Sequence, residues 1–293
     1  MTEKHTLGIG PGQPPIETAI VGEKRIAAVN LPPTLVSILV PCCGMIEYTK
    51  LCVPSILQHV RKPIDIEMIF LDIGSLDGTA EYLAGVKAAC RHRVEIVRTQ
   101  SDLGIGDACK EAIEAARGEY LMLLNNDTVV TEGWLHQLVS LAGLSEAIGM
   151  VGPMSNYASP PQLVETVPYR VKPKRAKNSG RFGTSEALVD VAAVNAFARE
   201  HREKMKSKWV PVERLGGFCV LVKRTVIDKI GRARLDEWTD LRLFDSDILS
   251  AKARQVGFTL ACCRDLFIHH FGTRTFSQGA PNAPEKPKDR AAT

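Results

Sequence analysis

The sequence predicts an α/β protein built on a mainly parallel central sheet flanked by helices. Between Leu35 and Val151, short apolar runs alternate with segments of helical periodicity, the pattern of successive right-handed β-α-β units. Polar and glycine-containing turns close those runs, and the same rhythm resumes after Gly216.

Strands are expected at Val36–Val40, Ile66–Leu71, Val94–Val97 and Tyr120–Leu124. Between and after them, helices are expected at Tyr48–Val60, Thr79–Ala89, Asp107–Ala116 and Gly133–Ala142. In the first helix Leu51, Ser55, Ile56 and Val60 share one face at the three-and-four spacing. In the second, Asp77 or Thr79 caps the N-terminus. From about Gly152 to Arg214 the rhythm breaks, leaving a helix at Ser185–Glu200 with Leu188, Val191, Ala192 and Phe197 on its apolar side. It returns as a strand at Phe218–Val222, helices at Thr225–Ile230 and Asp247–Gln255, and strands at Thr259–Cys262 and Leu266–His269. The expected organisation is an N-terminal arm (1–33), one domain (34–276) with an insertion at 152–214 between two halves (34–151 and 215–276), and a disordered tail (277–293).

Composition narrows the class. The chain has 293 residues, 45% hydrophobic and 24% charged, enough to bury a sizeable core. A net charge of +4 is too mild to imply nucleic-acid binding. Apolar runs such as Val36–Val40 and Met68–Leu71 fall far short of the roughly 20 residues a bilayer crossing needs. No basic stretch followed by an apolar core opens the chain, so a cytoplasmic protein is expected. The eight cysteines include no C-x-x-C pair and sit mostly in apolar runs, as buried free thiols do. The basic stretch Arg170–Arg181 reads as a solvated loop, with steering of a phosphorylated or membrane-associated acceptor as its functional alternative.

Ligands of such sheets bind beyond the carboxyl ends of the strands, so the residues just past each strand matter most. The first strand runs into Pro41-Cys42-Cys43-Gly44 and the second into Asp72-Ile73-Gly74-Ser75-Leu76-Asp77-Gly78-Thr79. A carboxylate at a strand tip, here Asp72, can accept a hydrogen bond from a base N–H, and glycines beside it let a flat ring approach the backbone. Asp77 reads as a helix cap. The fourth strand ends in Asn125-Asn126-Asp127-Thr128, where one carboxylate among amides suits a hard divalent cation shared with phosphate oxygens and water.

The stretches VSILVPCCGMIEYTKLCVPSIL, DIGSLDGT and RGEYLMLLNNDTVVTEGWL resemble the large family of inverting, nucleotide-sugar-dependent family 2 glycosyltransferases with the GT-A fold, a Rossmann-related architecture. GGFCVLVKR (Gly216–Arg224) and FIHHFGTRTF (Phe267–Phe276) resemble the same family's later blocks, so the similarity runs from about Leu35 to Phe276. The resemblance implies transfer of a sugar from a UDP-linked donor to a saccharide or other hydroxyl acceptor. It places Asp72 on the nucleotide base and Asp127, the last acid of the D-x-D motif, on Mn²⁺ or Mg²⁺. Pro41, Gly74, Ser75, Asn125, Asn126 and Gly217 fall in its donor-binding segments. Three positions depart from the family pattern: Ile73 replaces an Asn, the D-x-D reads Asn125-Asn126-Asp127, and the usual base position falls on Ser246.

Inverting transfer needs a carboxylate to deprotonate the attacking hydroxyl, and a metal and cations for the diphosphate leaving group. Asp247 is the expected base, with Asp245 as its alternative. His269 or His270 can give the metal an imidazole, and Arg274 lies on a Gly272-containing loop able to close over the diphosphate. Trp134 reads as core. Two other readings compete: a non-catalytic nucleotide- or sugar-binding relative, and a nucleotidyltransferase, against which the absence of a basic glycine-rich loop after Pro41 argues.

Overall fold

The computed structural model describes residues 24–25, 31–99, 105–171, 188–231 and 246–272. The first β-α-β units come from β2 (Thr34–Cys42), α1 (Ile46–Gln58), β3 (Ile64–Ile73), α2 (Thr79–Ala89) and β4 (Arg93–Thr99), after the short β1 (Lys24–Arg25). They continue through α3 (Ile105–Ala115), β5 (Tyr120–Leu124), β6 (Thr128–Val129), α4 (Trp134–Gly143) and β7 (Ile148–Met154). The rest comprises α5 (Val191–Met205), β8 (Lys208–Val212), β9 (Cys219–Lys223), α6 (Arg224–Ile230), α7 (Ser246–Gln255), β10 (Thr259–Phe267) and β11 (His269–His270).

Nine strands form one sheet in the order β1-β8-β10-β7-β9-β5-β2-β3-β4. Strand β2 pairs in parallel with β3 and β5, β3 with β4, and β7 with β10. Strands β8 and β9 run against their neighbours. The parallel strands therefore all end at one edge.

Period-two alternation divides the strand side chains between the two faces. Val36, Ile38, Val40 and Cys42 of β2 pack with Cys52, Val53 and Ile56 of α1 and Trp134, Leu135 and Leu138 of α4. Leu39 joins Ile69 and Leu71 of β3 against Ala112 and Ile113 of α3, Val226 and Ile227 of α6, and Leu249 and Ala253 of α7. Trp134 is fully buried. All eight cysteines are free thiols, and the adjacent Cys42 and Cys43 pack into the cores on opposite faces. Burial pushes the Cys52 and Cys262 thiols up to about 12, which leaves them inert. Among the described residues no helix is long and apolar enough to cross a membrane.

The structure corrects several sequence expectations. Strand β7 was not expected, because Gly149, Gly152 and Pro153 interrupt its apolar run and both its faces are buried, so no alternation shows. Strand β8, inside the expected insertion, joins the main sheet beside β10. The helix expected from Ser185 starts at Val191, since Asp190 caps it by accepting from the N–H groups of Ala192 and Ala193 at 2.9 and 3.2 Å. Strand β10 runs unbroken to Phe267, and His269–His270 pair with β6 in a separate two-stranded sheet. The N-terminal arm apart from Lys24–Arg25 and Leu31–Pro33, the tail, most of the basic stretch, Asp245 and Arg274 lie outside the described residues.

Asp77 ties the first two units together at the carboxyl edge. Its Oδ2 accepts from the Ile46 N–H (3.0 Å) at the start of α1, and its Oδ1 from the Thr79 hydroxyl (2.6 Å) and N–H (3.3 Å). Partial burial would raise its pKa, but these hydrogen bonds outweigh it and hold the carboxyl below its ordinary 3.8. The stabilisation is therefore present above the unfolded-state pKa and is lost as pH falls through the lower folded-state value. Asp77→Ala should cost about 1–2 kcal/mol at pH 7, within the range for loss of a cap. Urea denaturation should show the gap from wild type closing as the pH is taken well below 3.8.

Candidate active site at the carboxyl edge of the sheet

The register Cys42↔Asp72 sets the tips of β2 and β3 side by side. Pro41 is buried in β2 opposite Leu71. Gly44 N–H donates to Ser75 Oγ (2.9 Å), and the Ser75 hydroxyl reaches the Cys42 carbonyl (3.4 Å), so the two loops are held as one surface. Gly74 has φ +58 and donates its N–H to the Thr99 carbonyl. Asp72 is fully buried: Oδ1 accepts from the Ser75 N–H (3.2 Å), while Oδ2 has no hydrogen-bond partner among the described residues. Arg98 Nε lies 3.3 Å from Oδ2, close enough for charge attraction but not aligned as a hydrogen bond. Oδ2 is thus compensated by the charge of Arg98 and by no hydrogen bond.

Beyond β5 the chain turns sharply, and Asn125, Asn126 and Asp127 part company. Asn125 N–H donates to the Phe218 carbonyl (2.9 Å), and its own carbonyl accepts from the Thr128 hydroxyl (2.8 Å). Asn126 is fully buried and donates through Nδ2 to Thr49 Oγ1 (2.9 Å) and the Gly44 carbonyl (3.4 Å). Through these bonds it braces the loop before α1.

Asp127, 1% exposed, faces His270 across 3.3 Å from Oδ1 to Nε2, and neither atom has a hydrogen-bond partner. His270 Nδ1 lies 2.9 Å from the Tyr157 carbonyl, so Nδ1 carries a proton. Nε2 then meets the carboxylate as an ion pair when the ring is protonated, and as a second acceptor that a cation between the two would satisfy when the ring is neutral. Proton donation from the other ring nitrogen to a carbonyl is also how metal-binding histidines are held. His269 is not part of this pair. Side chains alternate along β11, so His269 points the other way, with Nδ1 2.9 Å from the Tyr169 hydroxyl and its ring against Phe271. Burial, with His270 adding to it and Asp127 partly opposing, lowers its pKa to about 4. Among the described residues no group of three or more His, Cys, Asp or Glu side chains converges, so the pair would share a cation with ligand oxygens or water.

The remaining wall comes from β9 and α7. The Phe218 ring stacks on His270 with centroids 5.1 Å apart and planes 17° apart. Gly216 and Gly217 precede it, with Gly216 N–H held by the buried Gln162 Oε1 (2.6 Å). Leu215 N–H donates to Ser250 Oγ (3.3 Å), which docks α7 on this loop. Asp247, in the first turn of α7, is exposed and lies 3.5 Å from Arg214 Nη1.

The family model for Glycosyl transferase family 2 matches residues 37–231, a span that holds all of these tips except β11 and α7. The chain belongs to glycosyl transferase family 2.

Among curated relatives, this family 2 chain is 25% identical over 265 residues to protein y4gI of Sinorhizobium fredii, spanning 86% of this chain and 26% of that protein. It is 28% identical over 123 residues to glycosyltransferase GlyG of Streptococcus pneumoniae (42% and 40%). To the poly(ribitol-phosphate) beta-glucosyltransferase of Bacillus spizizenii it is 27% identical over 95 residues (32% and 15%). The chain thus spans well under half the length of these relatives. Two solved structures share its GT-A fold. GalNAc-T7 with UDP, GalNAc and Mn²⁺ superposes with a TM-score of 0.56 at 14% identity, over 89% of this chain and 46% of that one. The mannosyltransferase PcManGT of Pyrobaculum calidifontis, with GDP-Man and Mn²⁺, gives 0.52 at 14% identity, over 82% and 57%.

Sequence reasoning missed Phe218 and Tyr157 as neighbours of His270. Phe218 lay inside the quoted GGFCVLVKR block, so a signal was present; Tyr157 lay in the segment where the periodicity fails. If Asn126 is a brace, Asn126→Ala should lower stability by about 1–3 kcal/mol, the cost of leaving buried polar groups unpaired. Nucleotide affinity, measured calorimetrically well below the melting temperature, should stay within about twofold. A large loss of affinity in a variant of unchanged stability would return Asn126 to the ligand side.

Proposed function

We propose that this protein transfers a hexosyl group from a nucleotide-sugar donor, UDP-linked, to a hydroxyl of a saccharide or other acceptor, with inversion and with a divalent cation. The observation that carries the reading is the buried pair Asp127 Oδ1 and His270 Nε2, facing each other without a hydrogen bond, at the same sheet edge as Asp72, whose Oδ2 has none either. Asp127 and His270 would hold Mn²⁺ or Mg²⁺, which supplies charge stabilisation for the departing diphosphate. The names of the relatives, and the nucleotides and Mn²⁺ in the two structural neighbours, support this choice of donor and ion.

In this reading Asp72 Oδ2 accepts the N–H of the base, and the Gly74–Ser75 backbone lets the ring lie close. Asp247 takes the proton of the acceptor hydroxyl as its oxygen bonds to the anomeric carbon. The bond from that carbon to the diphosphate breaks, and its electron pair leaves with the diphosphate. Asp247 stands exposed in the first turn of α7, 3.5 Å from Arg214 Nη1. Asp245 remains the alternative.

Two substitutions test the reading. Asp127→Asn should abolish Mn²⁺-dependent stabilisation by UDP in thermal-shift measurements. Its apo stability should be unchanged or slightly higher, because the new amide can donate to His270 Nε2. Wild-type turnover in this variant would remove the cation from Asp127. Asp247→Asn should lower kcat by about 10²-fold or more, the scale of general-base loss, with little change in donor affinity. If neither Asp247→Asn nor Asp245→Asn slows turnover, the base lies elsewhere; if the wild type binds nucleotide and turns over no donor with any acceptor or water, the protein is a binding relative and not a transferase.

A further inference from the structure

His270 stands on a strand of two residues, held on one side by its pairing with β6 and by the Phe271 N–H on the Asp127 carbonyl (2.9 Å). The turn after β7 holds it from the other side. Asn156 Nδ2 donates to the His270 carbonyl (3.0 Å), and Asn156 Oδ1 accepts from the His270 N–H (3.0 Å). The amide has only one sensible orientation, since a flip would set donor against donor and acceptor against acceptor. The next carbonyl, of Tyr157, accepts from His270 Nδ1 at 2.9 Å and so selects the tautomer.

The turn is itself held firmly. Ser155, fully buried, donates its N–H to the Gln162 carbonyl (2.8 Å) and accepts from the Val164 N–H (2.8 Å). Its hydroxyl oxygen accepts from the Tyr157 N–H (3.3 Å), and Ile268 N–H returns to the Met154 carbonyl (3.0 Å). The Tyr157 ring meets His270 edge-on at 5.5 Å and covers Gly272, where an added Cβ would come within 2.8 Å of it. A side-chain amide that grips both backbone polar groups of one residue, from a turn anchored on another strand, does for β11 what a third strand would do. With the backbone so held, the Tyr157 carbonyl on Nδ1 and the Phe218 ring against the imidazole aim Nε2 at Asp127.

We propose that Asn156 is a positioning residue for the cation site, holding the His270 peptide so that Nε2 faces Asp127 Oδ1. The inference rests on the reading of that pair as a divalent-cation site. Supporting groups behind a metal-bound imidazole typically carry about 10–100-fold in metal affinity. A residue that merely joined two segments would change the melting temperature and leave cation affinity alone.

The test is a Mn²⁺ titration of the full chain, with free Mn²⁺ read by electron paramagnetic resonance in the presence of UDP. Wild type, Asn156→Ala, Asn156→Ser, His270→Ala and Asp127→Asn are compared. Ser is too short to span both groups and serves if the alanine variant fails to fold. The Mn²⁺ dissociation constant should rise about 10–100-fold in either Asn156 variant. UDP affinity in EDTA, which depends on Asp72, should stay within about twofold. Cation affinity within about twofold of wild type in a folded Asn156 variant overturns the proposal. If His270→Ala and Asp127→Asn nonetheless lose Mn²⁺, the cation reading survives without it. If all five proteins titrate alike, both fall.

Discussion

Everything at this site depends on the parallel register of β2 with its two neighbours. Parallel strands all end at one edge, and β2 pairs with β3 through Cys42↔Asp72 and with β5 through Leu39↔Leu123. A one-residue slip would exchange the faces of the sheet and turn Val40 and Cys42 away from α1 and α4. Because both faces are packed against helices, the register is strongly determined. The glycine turn after β2, Asp72 and Asp127 are thereby brought together although they are far apart in the chain.

Packing accounts for the scaffold, but the polar edge works by a different rule. There the structure leaves acceptors unsatisfied: Asp72 Oδ2, Asp127 Oδ1 and His270 Nε2 are all buried without hydrogen-bond partners. Such groups destabilise an isolated domain, by about 1–3 kcal/mol each and more for charged groups. Elsewhere the same chain satisfies its buried carboxylates. Glu67, at the other end of β3, accepts from the Ser37 hydroxyl (2.6 Å), the Arg117 N–H (2.5 Å) and Arg93 (2.6 Å). At the carboxyl edge, by contrast, Asp72 Oδ2 meets only the charge of Arg98, and Asp127 Oδ1 only the ring of His270.

Much of the scaffold was legible in the sequence. Strands β2 to β5 and helices α1 to α4 follow from apolar runs separated by helical periodicity, because each of these strands lies in a local β-α-β unit. Asp77 was legible as a carboxylate at the start of α2, although the N-cap position itself is Gly78 and Asp77 reaches Thr79 from one residue earlier; its second role at the start of α1 was not legible. The failures fall where pairing is non-local. Strand β7 hides behind glycines and a proline, and β11 is two residues long. The segment around Asn156 carries neither period.

By itself the sequence determined the fold class, the family and the strand tips that carry Asp72 and Asp127, because those signals lie within contiguous stretches of chain. It also offered two adjacent histidines, His269 and His270, and could not tell them apart. Only the tertiary structure divided them. Pairing of β11 with β6 turns His270 toward Asp127 and His269 toward Tyr169, because neighbouring side chains on a strand point to opposite faces. It likewise turned Asn126 inward onto Thr49 and brought Asn156, Tyr157 and Phe218 to His270. Which way a side chain faces depends on the strand that pairs with its own, and that partner is chosen by packing across the whole sheet.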